Sequence, residues 1–139
     1  MAILTKRFDF EAAHRLAKGY VGKCANIHGH SWKGELQIAF EGLDEMDMGI
    51  DFYNLKTFTQ EVVDRYDHKL LLFEDDTDLI SLCQNKDWQI VTFPSNPTSE
   101  ILAKTIYEDA VAFFLTHYPT VSVHAVVIEE SCTSRCVWP

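Results

Sequence analysis

SWKGELQIAF, residues 31–40, alternates Trp32, Leu36, Ile38 and Phe40 with polar neighbours after a glycine-containing loop. A period of two marks a strand with one buried and one wet face, because successive side chains leave opposite sides of the pleat. Upstream, ILTKRFDFEAA (residues 3–13) sets Leu4, Lys6, Phe8 and Phe10 against Ile3, Thr5, Arg7 and Asp9, and its aromatics again favour a strand. Two such runs joined by a loop predict an antiparallel pair.

Downstream the period lengthens. In FYNLKTFTQEVVDRY (52–66), Phe52, Leu55, Phe58 or Thr59, Val62 and Tyr66 recur at helical spacing behind Asp51, a suitable N-cap. A loop-rich stretch follows, with one short apolar run, WQIVTF (88–93). SNPTSEILAKTIYEDAVAFFLTHY (95–118) opens with Asn96 as a cap and Pro97 as a first-turn proline, and Leu102, Ile106, Ala110, Phe113 and Phe114 form its apolar stripe. VSVHAVVIEE (121–130) is rich in β-branched residues and reads as a strand, with RCVWP (135–139) as a candidate last one. The order β-β-α-α-β-β predicts one α+β domain over residues 1–139, a four-stranded antiparallel sheet with two helices on one face.

With 139 residues, 47% of them hydrophobic, the chain can fill a single core. A net charge of −9 argues against a nucleic-acid partner, while a local field can still hold a small anion. No run approaches the roughly 18 apolar residues of a membrane span. MAILTKRFDFEAAH lacks a signal-peptide core, so a cytoplasmic location without a membrane partner is expected. Cys24, Cys83, Cys132 and Cys136 are irregularly spaced, as free thiols would be.

The chemistry concentrates in CANIHGH, residues 24–30. In an extended chain His28 and His30 project from one face, with Gly29 keeping the intervening side free of bulk. Two neutral imidazoles so placed can share a zinc ion, and a catalytic zinc needs a third ligand and an open position. His14 ends the first strand, and an antiparallel return brings it opposite the start of the second. Spacing alone leaves a solvated pair and a three-histidine site both open. Cys24 is a further ligand, a base or nucleophile whose pKa a nearby cation lowers, or an inert small residue. Asp67 and His68 follow the first helix as an oriented acid/base pair or as a solvated helix end. Glu129 and Glu130 close a strand and point to opposite faces, so one can enter a pocket and accept two hydrogen bonds from a heterocycle's N–H groups. The plainer reading is a polar strand terminus. Cys132 and Cys136 read as structural or incidental, and His117 and His124 as surface or core polar groups.

Six motifs occur in order along nearly the whole chain: FEAAH (10–14), Cys24-x-x-x-His28-Gly-His30, Asp51-Phe52-x-x-Leu55-Lys56, Asp67-His68, PTSE (97–100) and Glu130-Ser131. Together they resemble the 6-pyruvoyltetrahydropterin synthase superfamily, and most closely its bacterial 6-carboxy-5,6,7,8-tetrahydropterin synthase branch. The three-residue gap between Cys24 and His28 and the segments NPTSEILAK and CTSRC are similar to that branch.

The resemblance implies the tunnelling fold (T-fold), with three subunits closing their sheets into a barrel and two trimers stacking as a hexamer. Active sites then lie at subunit interfaces. It implies one zinc ion (Zn2+) per subunit on His14, His28 and His30, with Cys24 as general base. His68, supported by Asp67 and given by a neighbouring subunit, is the implied acid/base partner. Glu130 would anchor the pterin ring and Thr98 line its pocket. The implied substrate is 7,8-dihydroneopterin triphosphate, converted to 6-carboxy-5,6,7,8-tetrahydropterin with release of acetaldehyde and triphosphate, in queuosine (7-deazapurine) biosynthesis. Two alternatives stand beside it: a pyruvoyl-type synthase that eliminates triphosphate without C–C cleavage, and a non-catalytic pterin-binding protein. Retention of Cys24, Asp67, His68 and Glu130 together counts against the second. The chain departs from the family pattern at Leu72, where an asparagine is usual, at Ser131 for threonine, and at Trp138 for tyrosine. Which of Lys23, Lys33, Lys69 and Arg135 meet the triphosphate is left open.

Overall fold

Strand β1 (Ala2–His14) and strand β2 (His28–Phe40) pair antiparallel along their whole length, with Ala2 opposite Phe40 and His14 opposite His28. The computed structural model describes all residues from Met1 to Pro139. Helix α1 (Phe52–Tyr66) starts behind Asp51, whose carboxylate accepts the Tyr53 N–H at 2.8 Å. Its stripe buries Leu55, Phe58, Thr59, Val62 and Tyr66, whereas Phe52, in the first turn, is 51% exposed.

The stretch read as loop contains three elements. Strand β3 (Lys69–Phe73), helix α2 (Thr77–Asn85) and strand β4 (Ile90–Phe93) form a crossover unit. β3 runs parallel to β1, and β4 runs parallel to β3. The sheet therefore has six strands rather than four, and the chain three helices rather than two. The apolar run KLLLF carries no alternation, because a strand covered on both faces needs none, and IVTF is only four residues long, too short to show a period. Leu71 and Leu72 are both fully buried, so the leucine that departs from the family pattern is a core residue.

Helix α3 (Ser99–His117) begins two residues later than Asn96 and Pro97 suggest. Thr98 is its N-cap, accepting the Ile101 N–H at 3.3 Å, and Pro97 is buried just outside the helix. Leu102, Ala103, Ile106, Ala110 and Phe114 form the buried side, with Phe113 partly covered. Strand β5 (Ser122–Ser131) then pairs with β2, and strand β6 (Ser134–Trp138) with β5, both antiparallel. The full order is β4-β3-β1-β2-β5-β6.

One sheet face carries Phe10, Ala12, Trp32, Leu36 and Ile38 into the core, against α1 and α3. Full burial of each large apolar side chain stabilises by about 1.5–3 kcal/mol relative to exposure. The opposite face is charged. Its register places Asp9, Lys33, Glu129 and Arg135 in one row across four strands, so neighbours alternate in sign. No helix is long and apolar enough to cross a membrane, and all four cysteines are free thiols.

Candidate metal centre

The β1–β2 register builds the site. His14 faces His28 directly and Ala12 faces His30, and the pleat puts all three imidazoles on the helix-covered side of the sheet. Their donor atoms lie within 4.8 Å of one another. Trp32 walls the cluster, its ring 5.1 Å from both His14 and His30 and its indole N–H on the Ala12 carbonyl at 3.1 Å.

Backbone carbonyls set the tautomers. His14 Nδ1 donates to the Pro97 carbonyl and His28 Nδ1 to the Asn26 carbonyl, each at 2.7 Å. A nitrogen facing a carbonyl must carry the hydrogen, so each Nε2 presents a lone pair. These two lone pairs lie 3.1 Å apart, a repulsive arrangement that a cation between them reverses. Zinc–nitrogen bonds of about 2.0–2.1 Å in tetrahedral geometry separate two donors by roughly 3.3 Å. The third nitrogen, His30 Nε2, is buried without a hydrogen-bond partner. The donor set thus fits a divalent metal, and the carbonyls that orient the rings are the second-layer partners such ligands use.

The electrostatics agree. Burial holds the His14 pKa below its ordinary value of 6.5, assisted by His28 and His30 and opposed by the Pro97 carbonyl and Glu130. His30 is lowered in the same way, by burial first, with Glu130 opposing and His28 assisting. Neutral imidazole is the metal-binding form.

Glu129 and Glu130 diverge as their alternation predicts. Glu129 lies on the charged face, 4.0 Å from Arg135, while Glu130 turns to the histidines. Its Oε1 is 3.6 Å from His14 Nε2 and 3.5 Å from His30 Nε2, too long for direct bonds but close enough to bias charge at the mouth of the cluster.

Cys24 sits in a short 3-10 turn (Lys23–Ala25) between β1 and β2, half-buried and outside the group formed by the three histidines. The Cys24 thiol raises the pKa of nearby Tyr20 above its ordinary value of 10.0. Tyr20 was not singled out from sequence, where only its four-residue spacing from Cys24 would have pointed to it.

Asp67 and His68 are ordered by β1. One Asp67 oxygen accepts the Glu11 N–H and the other the His68 Nδ1–H, both at 2.8 Å, and His68 N–H bonds the Glu11 carbonyl at 2.7 Å. The Glu11 N–H, and then His68, hold the Asp67 pKa below its ordinary range. His68 has a φ of 58°, a left-handed backbone that this clasp maintains. Its side chain is 80% exposed and lines a cavity of about 780 Å³ with Glu11, Gly29, Ser31 and Leu70, which His30 borders. Gly29 therefore opens to this outer cavity and not to the histidine cluster, and a side chain there would meet only the Ala12 carbonyl at an ordinary 3.7 Å. Within one chain, no hydrogen bond or ion pair ties Asp67 or His68 to the three histidines or to Cys24. Thr98 caps α3 next to the Pro97 carbonyl that orients His14, while His117 rests on Phe113 and His124 is exposed on β5.

Comparison with known proteins agrees with this geometry. The family model described as 6-pyruvoyl tetrahydropterin synthase matches residues 3–138. The chain is 36% identical over 101 residues to the 6-carboxy-5,6,7,8-tetrahydropterin synthase of Rickettsia typhi, covering 71% of this chain and 72% of that one. The protein of the same name from Synechocystis sp. is 32% identical over 139 residues, covering 96% of this chain and 90% of its own length. Among solved structures, an uncharacterized protein from Wolinella succinogenes superposes with a TM-score of 0.84 at 21% identity, covering 98% of this chain and 96% of its own. The 6-pyruvoyl tetrahydropterin synthase of Caenorhabditis elegans gives a TM-score of 0.71 at 23% identity, covering 99% and 94%. These superpositions show the T-fold, with two more strands and one more helix than expected, and by sequence the chain belongs to the 6-pyruvoyl tetrahydropterin synthase family.

Proposed function

We propose that this protein is a zinc-dependent carbon–carbon lyase, a 6-carboxy-5,6,7,8-tetrahydropterin synthase acting on 7,8-dihydroneopterin triphosphate. The observation that carries the reading is the trio of imidazoles with converging Nε2 atoms, one of them buried and unpartnered, beside the Glu130 carboxylate. The name shared by the curated relatives supports the choice of reaction.

Zinc bound to His14, His28 and His30 would supply Lewis acidity toward the hydroxyls of the substrate side chain. The residues of the chain do the rest. Glu130 accepts hydrogen bonds from the pterin N–H groups and so fixes the ring, with Thr98 lining the pocket. Cys24, as thiolate, takes the proton from the side-chain carbon next to the ring. His68, its Nδ1–H engaged by Asp67, keeps Nε2 free to accept and return a proton. Triphosphate leaves, water is consumed, acetaldehyde departs and a carboxylate stays on the ring.

The Asp67–His68 pair lines the outer cavity that His30 borders and makes no hydrogen bond or ion pair to the zinc ligands of its own chain, which is consistent with delivery across a subunit interface, in a hexamer of two stacked trimers. Queuosine biosynthesis in the cytoplasm is the setting this reading implies, with residues 1–139 acting as one domain.

The test is product identification. Purified protein with zinc and 7,8-dihydroneopterin triphosphate is expected to release acetaldehyde and a 6-carboxypterin. A product that keeps the three-carbon side chain would make it a pyruvoyl-type synthase, and bound but unconverted pterin a binding protein. Cys24→Ala should keep its metal and lose turnover by about 10²–10⁴-fold, the usual worth of a general base. Unchanged turnover would remove Cys24 from that role.

A further inference from the structure

The segment that carries Cys24, residues 15–27, has little packing of its own. Residues 18–23 are exposed, and Gly19 and Gly22 have φ values of 68° and 154°. Within it, Leu16 N–H bonds the Cys24 carbonyl at 3.0 Å, and turn bonds join Ala25 to Gly22 and Asn26 to Lys23. Its middle meets the rest of the fold at Lys18, whose Nζ lies 5.6 Å from the centre of the Phe73 ring and whose backbone is gripped by one side chain. Asn96 Oδ1 accepts the Lys18 N–H, and Asn96 Nδ2 donates to the Lys18 carbonyl, each at 2.9 Å. A residue in a strand exchanges the same two bonds with its neighbour. Only a side-chain amide offers donor and acceptor together for this: a carboxylate cannot donate, and a hydroxyl is too short to reach both groups.

Asn96 is itself held. Thr98 N–H bonds its carbonyl at 2.8 Å, ahead of α3, and the next residue, Pro97, gives the carbonyl that orients His14. Two adjacent residues thus grip two parts of the site, a metal ligand through Pro97 and the cysteine loop through Asn96. Lys18, in turn, lies two residues beyond Leu16, which is bonded to Cys24.

We propose that Asn96 is a positioning residue for the reaction: its amide clamps the backbone of Lys18 and thereby holds the Cys24 thiol in register with the three histidines. This rests on the lyase reading above, in which Cys24 is the base.

Asn96→Ala, Asn96→Asp and, as a control, Ser95→Ala are prepared as full, metal-loaded chains. Amide hydrogen exchange across residues 16–24 is expected to speed up by about tenfold or more in Asn96→Ala, because local opening no longer breaks the clamp. Turnover should fall by about 10²-fold, the scale of an ångström-level misplacement. KM should stay within about twofold, since the pterin contacts are untouched. Asn96→Asp keeps one of the two bonds and should fall between Ala and wild type, with Ser95→Ala unchanged. Metal content should remain at wild type throughout. Unchanged exchange and kcat in Asn96→Ala would overturn the proposal. So would a loss of activity that follows a loss of metal, which would put the effect on His14. If the wild-type chain shows no turnover, the lyase reading fails, and the clamp then stands or falls on exchange alone.

Discussion

His14 shows how one residue can be under several constraints. It ends β1, is almost wholly buried, gives its Nδ1 hydrogen to the Pro97 carbonyl and turns Nε2 to His28. Burial disfavours its imidazolium form, and that has a consequence for stability. In metal-free protein, His14 and His30 titrate below 6.5, and unfolding returns them to it. Between the folded values and 6.5 the unfolded chain binds more protons, so stability falls as pH drops through that window and is flat above it. Asp67 adds its loss only at more acid pH, below its ordinary 3.8, because its folded pKa is depressed. The urea midpoint of metal-free protein should therefore decline on acidification from about pH 7 to about pH 5, and less steeply in His30→Gln. An equal slope in the variant would put the proton uptake elsewhere.

At the scale of elements, legibility followed periodicity. β1, β2 and α1 have one buried and one wet side, so their alternation or 3.6-residue spacing is written in the residues themselves. β3 is covered on both sides and lost that signature, β4 is too short to show one, and Asn96-Pro97 imitated a helix start that Thr98 provides. Thr98→Ala should cost about 1 kcal/mol in unfolding free energy, as N-cap losses do, with Thr98→Ser close to wild type. If the Ser variant loses as much as Ala, the hydroxyl is not the cap. A raised KM in the Ser variant at intact stability would be the sign that the methyl group contacts the pterin.

Across the whole molecule, the groups proposed for catalysis are not bonded to one another within one chain. The imidazole trio lies on the helix-covered face, and Asp67–His68 stands over the outer cavity. Under the proposed function these are two half-sites that meet when subunits assemble. Chains carrying Cys24→Ala and chains carrying His68→Ala, each inactive alone, should regain turnover when refolded together, because mixed oligomers contain some intact composite sites. Two inactive parents that stay inactive after demonstrated subunit exchange would mean that the pair acts within its own chain.

The amino-acid sequence by itself determined the period of each half-buried element and the ordered set of chemical groups, from FEAAH to Glu130. Both are local properties, set by steric alternation and by side-chain chemistry. Tertiary structure alone decided which groups meet. It brought the Pro97 carbonyl to His14 across 83 residues, Asn96 to Lys18 across 78, and Glu11 to Asp67 across 56. Such contacts arise when distant segments are packed against one shared core, and no spacing along the chain encodes them.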